Sequence, residues 1–110
     1  MKKEMTKREY EKNVKNAFLI RETKDILSKA EMIFLEGNFG FEKIRICIFG
    51  HDGDSSNEKI LKRIGTSENE LKSLLADLEI KIISLIHDDD CLHLTISNND
   101  ADKLGLEITE

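Results

Sequence analysis

Two short segments hold most of the side chains that could do chemistry. His51-Asp52-Gly53-Asp54 follows one alternating apolar stretch, and His87-Asp88-Asp89-Asp90 follows another. Carboxylates are hard ligands for Mg²⁺ or Mn²⁺, and imidazole suits transition metals. Brought together, these residues would make a divalent-metal site able to activate water, with His51, Asp52, His87 and Asp88 as the centre of a metal-dependent hydrolase. The competing reading is simpler. Asp favours turns because its carboxylate bonds the nearby backbone, and an acidic turn is a solvated surface that a cationic partner can engage.

Spacing favours the second reading. Counted from Asp52, a calcium loop fits at Asp54 and Ser56 but places Asn57 at the Gly position and Arg63 at the bidentate Glu position. His87, Cys91 and His93 form an H-x3-C-x-H run with His51 as a candidate fourth ligand, but zinc loops usually bring paired Cys or His from two places. Serines near turns lack a G-x-S-x-G elbow, and Gly50 and Gly53 belong to no phosphate-binding pattern. No catalytic residue, metal or cofactor is therefore assigned. The candidate site is a partner-binding one: Asp52, Asp54, Asp88, Asp89 and Asp90, with Asp100 and Asp102 further along the chain.

The elements that must position these residues can be read from periodicity. Thr6 with Glu9 makes a capping box, and Tyr10, Val14, Ala17 and Phe18 then recur on one helical face. Ile26, Leu27, Ala30, Ile33 and Phe34 continue at the same period but in a different phase. This predicts two helices, or one bent helix, over 6–36, with the seam near Leu19–Thr23 and Gly37 as its cap. The alternative is a strand over Ala30–Glu36 in a hairpin through Gly37–Gly40. Ile44, Ile46 and Ile48 alternate with Lys43, Arg45 and Cys47, which is a strand with one apolar face. Ser56 and Ser67 cap two short helices. Glu79–Ile86 is nearly continuously apolar, as a central strand buried on both faces would be. Cys91–Ser97 alternates again and should return from it as a hairpin. Asn98–Leu104 reads as a turn with a possible helical turn, and Leu106 and Ile108 as a short edge strand.

The predicted architecture is α+β: a mixed three- to four-stranded sheet with helices packed on one face, in the order α(α)-β-α-α-β-β-(β). A strand, a two-helix crossover and a strand favour a parallel pair with a right-handed connection. The loops after Phe49 and Ile86 would then emerge at one end of the sheet, with Asp100 and Asp102 at the other. Residues 1–110 make a single domain, with 6–36 as its N-terminal helical segment and 41–110 as the sheet and crossover helices.

Composition narrows the function. With 39% apolar and 35% charged residues the chain is globular, and with no Trp and five Phe its core must be mostly Ile and Leu. Cys47 and Cys91 lie in apolar stretches and outside any CxxC pair, as reduced thiols do. Met1–Met5 is not followed by the apolar region of a signal peptide, and no apolar run is long enough to span a bilayer, so cytoplasmic residence is expected and no membrane partner. Residues 1–49 carry 11 Lys/Arg against 8 Asp/Glu, whereas 50–110 carry 6 against 14. A net charge of −5 excludes general nucleic-acid binding, which needs a dominant basic patch. It fits a protein partner with a basic surface.

In size, acidity and lack of a catalytic motif, the chain resembles the small immunity proteins of bacterial toxin systems, including those of contact-dependent growth inhibition. The acidic loops Asp52/Asp54 and Asp88-Asp89-Asp90, with Asp100/Asp102, carry that resemblance. It implies an inhibitor that covers a basic toxin domain, such as a nuclease. A metal-dependent hydrolase and a regulatory adaptor are the alternative functions.

Overall fold

The computed structural model describes residues 6–37, 42–50 and 56–108. Helix α1 (Lys7–Leu27) leads into strands β1 (Met32–Glu36) and β2 (Lys43–Phe49). Helices α2 (Asn57–Arg63) and α3 (Glu68–Asp77) follow, then strands β3 (Ile82–Asp88) and β4 (Cys91–Ser97) and helix α4 (Asn98–Leu104). The fold is α+β, and the helix, strand, two helices and hairpin come in the expected order.

Three helices start at the caps expected from the sequence, Thr6, Ser56 and Ser67. Ser97 caps a fourth, α4, where a turn with a possible helical turn is expected. The hydroxyls of Thr6, Ser56, Ser67 and Ser97 accept the backbone N–H three residues on, at 3.1, 3.3, 3.2 and 3.1 Å. Every such cap satisfies one of the four N–H groups that a helix start leaves unpaired, a contribution of about 1 kcal/mol. Helix α4 ends at Gly105, whose φ of 64° is the left-handed conformation that a residue without a Cβ adopts at little cost.

The sheet has the order β1-β2-β4-β3, with every neighbouring pair antiparallel. This corrects the expected parallel pairing of β2 with β3. After the tight turn at Asp89-Asp90 the chain comes back between the two strands, so that β4 pairs on both sides. Its residues explain the choice: Leu92, Leu94, Thr95 and Ile96 are all buried, as only a central strand allows. β3, expected as the central strand, is an edge strand with Ile83 and Ile86 exposed. A bulge between Ile82 and Ser84 interrupts its register, a common device for blunting an open edge. The shared end of the sheet survives the correction. β2 and β3 run the same way on either side of β4, and Phe49 and Asp88 both pair with Cys91.

Three other segments differ in detail. Residues 32–36 form a strand, the hairpin alternative, because β-branched and aromatic side chains find partners on β2 in register Ile33–Ile46 and Phe34–Arg45. α1 is one helix to Leu27, and its change of apolar phase is a change of face rather than a bend. The outer stripe of Tyr10, Val14 and Phe18 is exposed, while Leu19, Thr23 and Leu27 are buried. Leu106 follows the α4 cap and packs against the core, and no strand forms over 106–108.

The core lies between the sheet and the helices. Ile33, Ile44, Ile46, Ile48, Leu92, Leu94 and Ile96 face Leu27, Ile60, Leu61, Leu71, Leu75 and Leu104. Every strand residue in that cluster lies on one face of the sheet. Burying a single Leu or Ile side chain contributes roughly 1.5–3 kcal/mol, so this interlayer is what holds the fold.

Candidate partner-binding surface

Among the described residues the opposite face of the sheet contributes no side chain to the core cluster. Cross-strand register sets its side chains in rows. Met32, Cys47, His93 and Ile86 lie opposite one another across all four strands, and Phe34, Arg45, Thr95 and Ser84 form the next row. Phe49, Cys91 and Asp88 close the face at the end where the β3–β4 turn emerges. Met32, Phe49 and Ile86 are exposed on this side, whereas Cys47 and Thr95 between them are buried by their neighbours. The result is a shallow surface with an apolar perimeter and a polar centre.

Two pairs stiffen that centre. Arg45 Nη2 donates to Glu36 Oε1 at 2.8 Å, and Arg45 Nε lies 2.6 Å from Oε2 as a charge contact without hydrogen-bond alignment. The guanidinium lies 5.9 Å over the Phe34 ring. A charge-assisted hydrogen bond backed by a second charge contact fixes orientation as well as charge. Cys47 Sγ lies 3.3 Å from His93 Nδ1, and His93 Nε2 lies 3.3 Å from the Asp88 carbonyl. A thiol beside an imidazole is the beginning of a nucleophile, yet this one is not activated. Burial pushes the Cys47 thiol up from its ordinary value, with the nearby Cys91 and Glu36 adding to the shift and only Arg45 opposing it. The thiol form is a weak nucleophile.

The acidic turn borders this surface. Asp88 pairs with Cys91 and so belongs to the open face, and Asp89 and Asp90 form the two-residue tip. Asp88, Asp89 and Asp90 are all exposed. Both tip residues have positive φ, 51° and 59°, as a type I′ hairpin turn requires. Asn-Gly or Asp-Gly is the usual sequence there, because a left-handed conformation costs a residue with a Cβ about 1 kcal/mol. Asp89 suits the first of these positions, and Asp90 keeps a second carboxylate where the backbone would prefer glycine. The Asp90 carbonyl accepts the N–H of Gly50 at 2.8 Å, tying the turn to the end of β2.

The structure brings together only part of the predicted site. Asp88, Asp89 and Asp90 are adjacent, whereas Asp100 and Asp102 lie on α4 at the far end of β4. Asp100 is half-buried, with its carboxylate 3.3 Å from Lys103. Asp52 and Asp54, with His51, lie outside the described residues. For the metal reading, His87 pairs with Leu92 and Asp88 with Cys91, so these neighbours project to opposite faces of β3. His87 is likewise separated from Cys91 and His93. Among the described residues no group of three His, Cys, Asp or Glu side chains converges on a metal position.

Sequence reasoning missed the apolar half of the surface: Met32, Phe49 and Ile86. The signal was present in β3, where Ile82, Ile83, Leu85 and Ile86 supply apolar side chains at both parities. Such a run means burial on both faces only if both are covered. No protein-family model, curated protein or solved structure matches the chain. The functional reading therefore rests on its own residues.

Proposed function

We propose that this chain is a non-catalytic binding protein of the immunity type, which neutralises a basic toxin domain, such as a nuclease, in the cytoplasm by covering it. The observation that carries the reading is the adjacency of an apolar-rimmed sheet face, which none of the described helices covers, to the exposed Asp88-Asp89-Asp90 turn. The two parts have different tasks. Carboxylates steer a cationic partner at long range and pair with its Arg and Lys side chains on contact. The apolar rim of Met32, Phe49 and Ile86 supplies the surface that keeps the partner once it has arrived. Asp90 at the glycine position fits this division, since the fold gives up stability there for charge. No helix of the described residues is long and apolar enough to cross a membrane.

The test is coexpression with the product of the adjoining gene, reading growth rescue and copurification together. The proposal expects a basic protein that is toxic alone, harmless with this chain, and recovered with it in equal amounts. A partner without toxicity would make the chain a regulatory adaptor instead. Absence of any partner, with hydrolysis that needs Mn²⁺ or Zn²⁺, would overturn the reading.

A further inference from the structure

The first three turns of α1 bury no side chain, although Lys12 and Asn16 line a small cleft with Asp77, Leu78 and Glu79 of the same chain. Leu19, Thr23 and Leu27 mark the helix's buried face, and at about 100° per residue Tyr10, Val14 and Phe18 point to the opposite side. They are 61%, 53% and 51% exposed. This i, i+4 row continues through Glu22 to Ile26, which lines a groove of roughly 630 Å³ between α1 and α3. Ile26, Ile64 and Leu74 give that groove an apolar floor, and Glu22, Asp25, Glu70 and Asp77 give it an acidic rim. The Lys29 ammonium, also in the groove, donates to the Ile64 carbonyl at 2.9 Å. The projecting half has the opposite character. Residues 7–18 carry Lys7, Arg8, Lys12 and Lys15 against Glu9 and Glu11.

We propose that the two halves of this surface are complementary parts of one interface between two copies of this chain. The basic, apolar-striped N-terminal half of each α1 lies in the acidic α1–α3 groove of the other. Both halves sit on the same helix, so a twofold axis that crosses the two α1 helices antiparallel satisfies both contacts at once and closes the assembly at two. Half-exposed Tyr10 and Phe18 each offer on the order of 100 Å², so the area is small beside the ~800 Å² per partner of a standard interface. The dimer is therefore weak, with a dissociation constant in the micromolar range. This surface is distinct from the open sheet face, and its role does not depend on the toxin reading.

Sedimentation equilibrium of the full chain, from about ten micromolar to about one millimolar to bracket that affinity, tests the proposal. The wild type is expected to go from monomer to dimer, and Val14→Asp to weaken the dimer at least about tenfold. A charge swap gives the decisive result. Lys7→Glu/Lys15→Glu reverses the projecting half, and Asp25→Lys/Asp77→Lys reverses the groove. Each double variant alone sets like charges against each other in both contacts and should be monomeric, whereas an equimolar mixture restores both contacts and should dimerise. Four outcomes overturn the proposal: a wild type monomeric throughout, variants that dimerise as well as wild type, a mixture no better than its components, or a monomer that binds anionic phospholipid vesicles through the stripe.

Discussion

Ile86 lies directly across the β3–β4 pair from His93, on the side of the sheet that gives no described side chain to the core cluster, and is 47% exposed. Its neighbour Leu85 pairs with Leu94 on the other side and packs against the buried cluster. Consecutive apolar residues of one strand thus have different tasks: Leu85 holds the fold, and Ile86 is left for something outside it. The same separation recurs on α1, where Phe18 faces solvent and Leu19 is 8% exposed. Both sites place apolar side chains where they do not help this chain fold alone, as interaction surfaces do.

The separation predicts opposite consequences for two isoleucines. Ile46→Ala removes a fully buried side chain and should cost roughly 2–5 kcal/mol in urea denaturation. Ile86→Arg should change stability by no more than about 0.5 kcal/mol while weakening binding to the copurified partner. Equal losses of stability would mean that the open face is covered in the free protein.

The β3–β4 turn should show a trade between stability and binding. Asp89→Asn/Asp90→Gly installs the residues that a type I′ turn prefers and should stabilise the fold by about 1 kcal/mol. The same variant removes two carboxylates from the surface and should bind the partner less tightly. A stabilised variant with unchanged affinity would take the turn tip out of the interface.

Cys47 gives a pH dependence whose sign is fixed. Its folded thiol holds its proton more tightly than an ordinary thiol at 9.0, chiefly because it is buried. Its contribution to stability is complete below the unfolded value and is lost as pH rises through the folded one. Stability should therefore decline on the alkaline side of pH 9, and Cys47→Ala should flatten that decline. Identical slopes for the two proteins would assign the alkaline loss to other groups.

Arg45 is held by geometry as well as by charge. Arg45→Lys keeps the cation but loses the two-point contact with Glu36 and the planar contact over Phe34. The pair is partly exposed, so solvent screens it and the cost should be about 1 kcal/mol or less, seen as a small fall in Tm. A loss as large as that of a core truncation would show that the pair acts as a buried one.

Local signals were the most legible part of the sequence. Thr6, Ser56 and Ser67 cap their helices as their spacing required, and Ile44, Ile46 and Ile48 mark the buried side of β2. Pairing was less legible. Whether β4 lies outside β3 or between β3 and β2 depends on which strand can be buried on both sides, and short apolar runs do not show that. β3 read as central because its apolar residues occupy both parities. β4 took the centre because Thr95 satisfies the less apolar side under neighbouring side chains. The candidate site was half legible for the same reason: turn carboxylates are visible as residue types, but an exposed apolar face appears only once the helices are known to cover the other one.

The most direct test of the binding account is calorimetric titration of the adjoining gene's product into wild type and into Asp88→Lys/Asp89→Lys. The account predicts one-to-one binding by the wild type. It also predicts at least about tenfold weaker binding by the variant, with an unchanged Tm and a smaller dependence on salt. Equal dissociation constants for the two proteins, or no heat of binding for either, would contradict it.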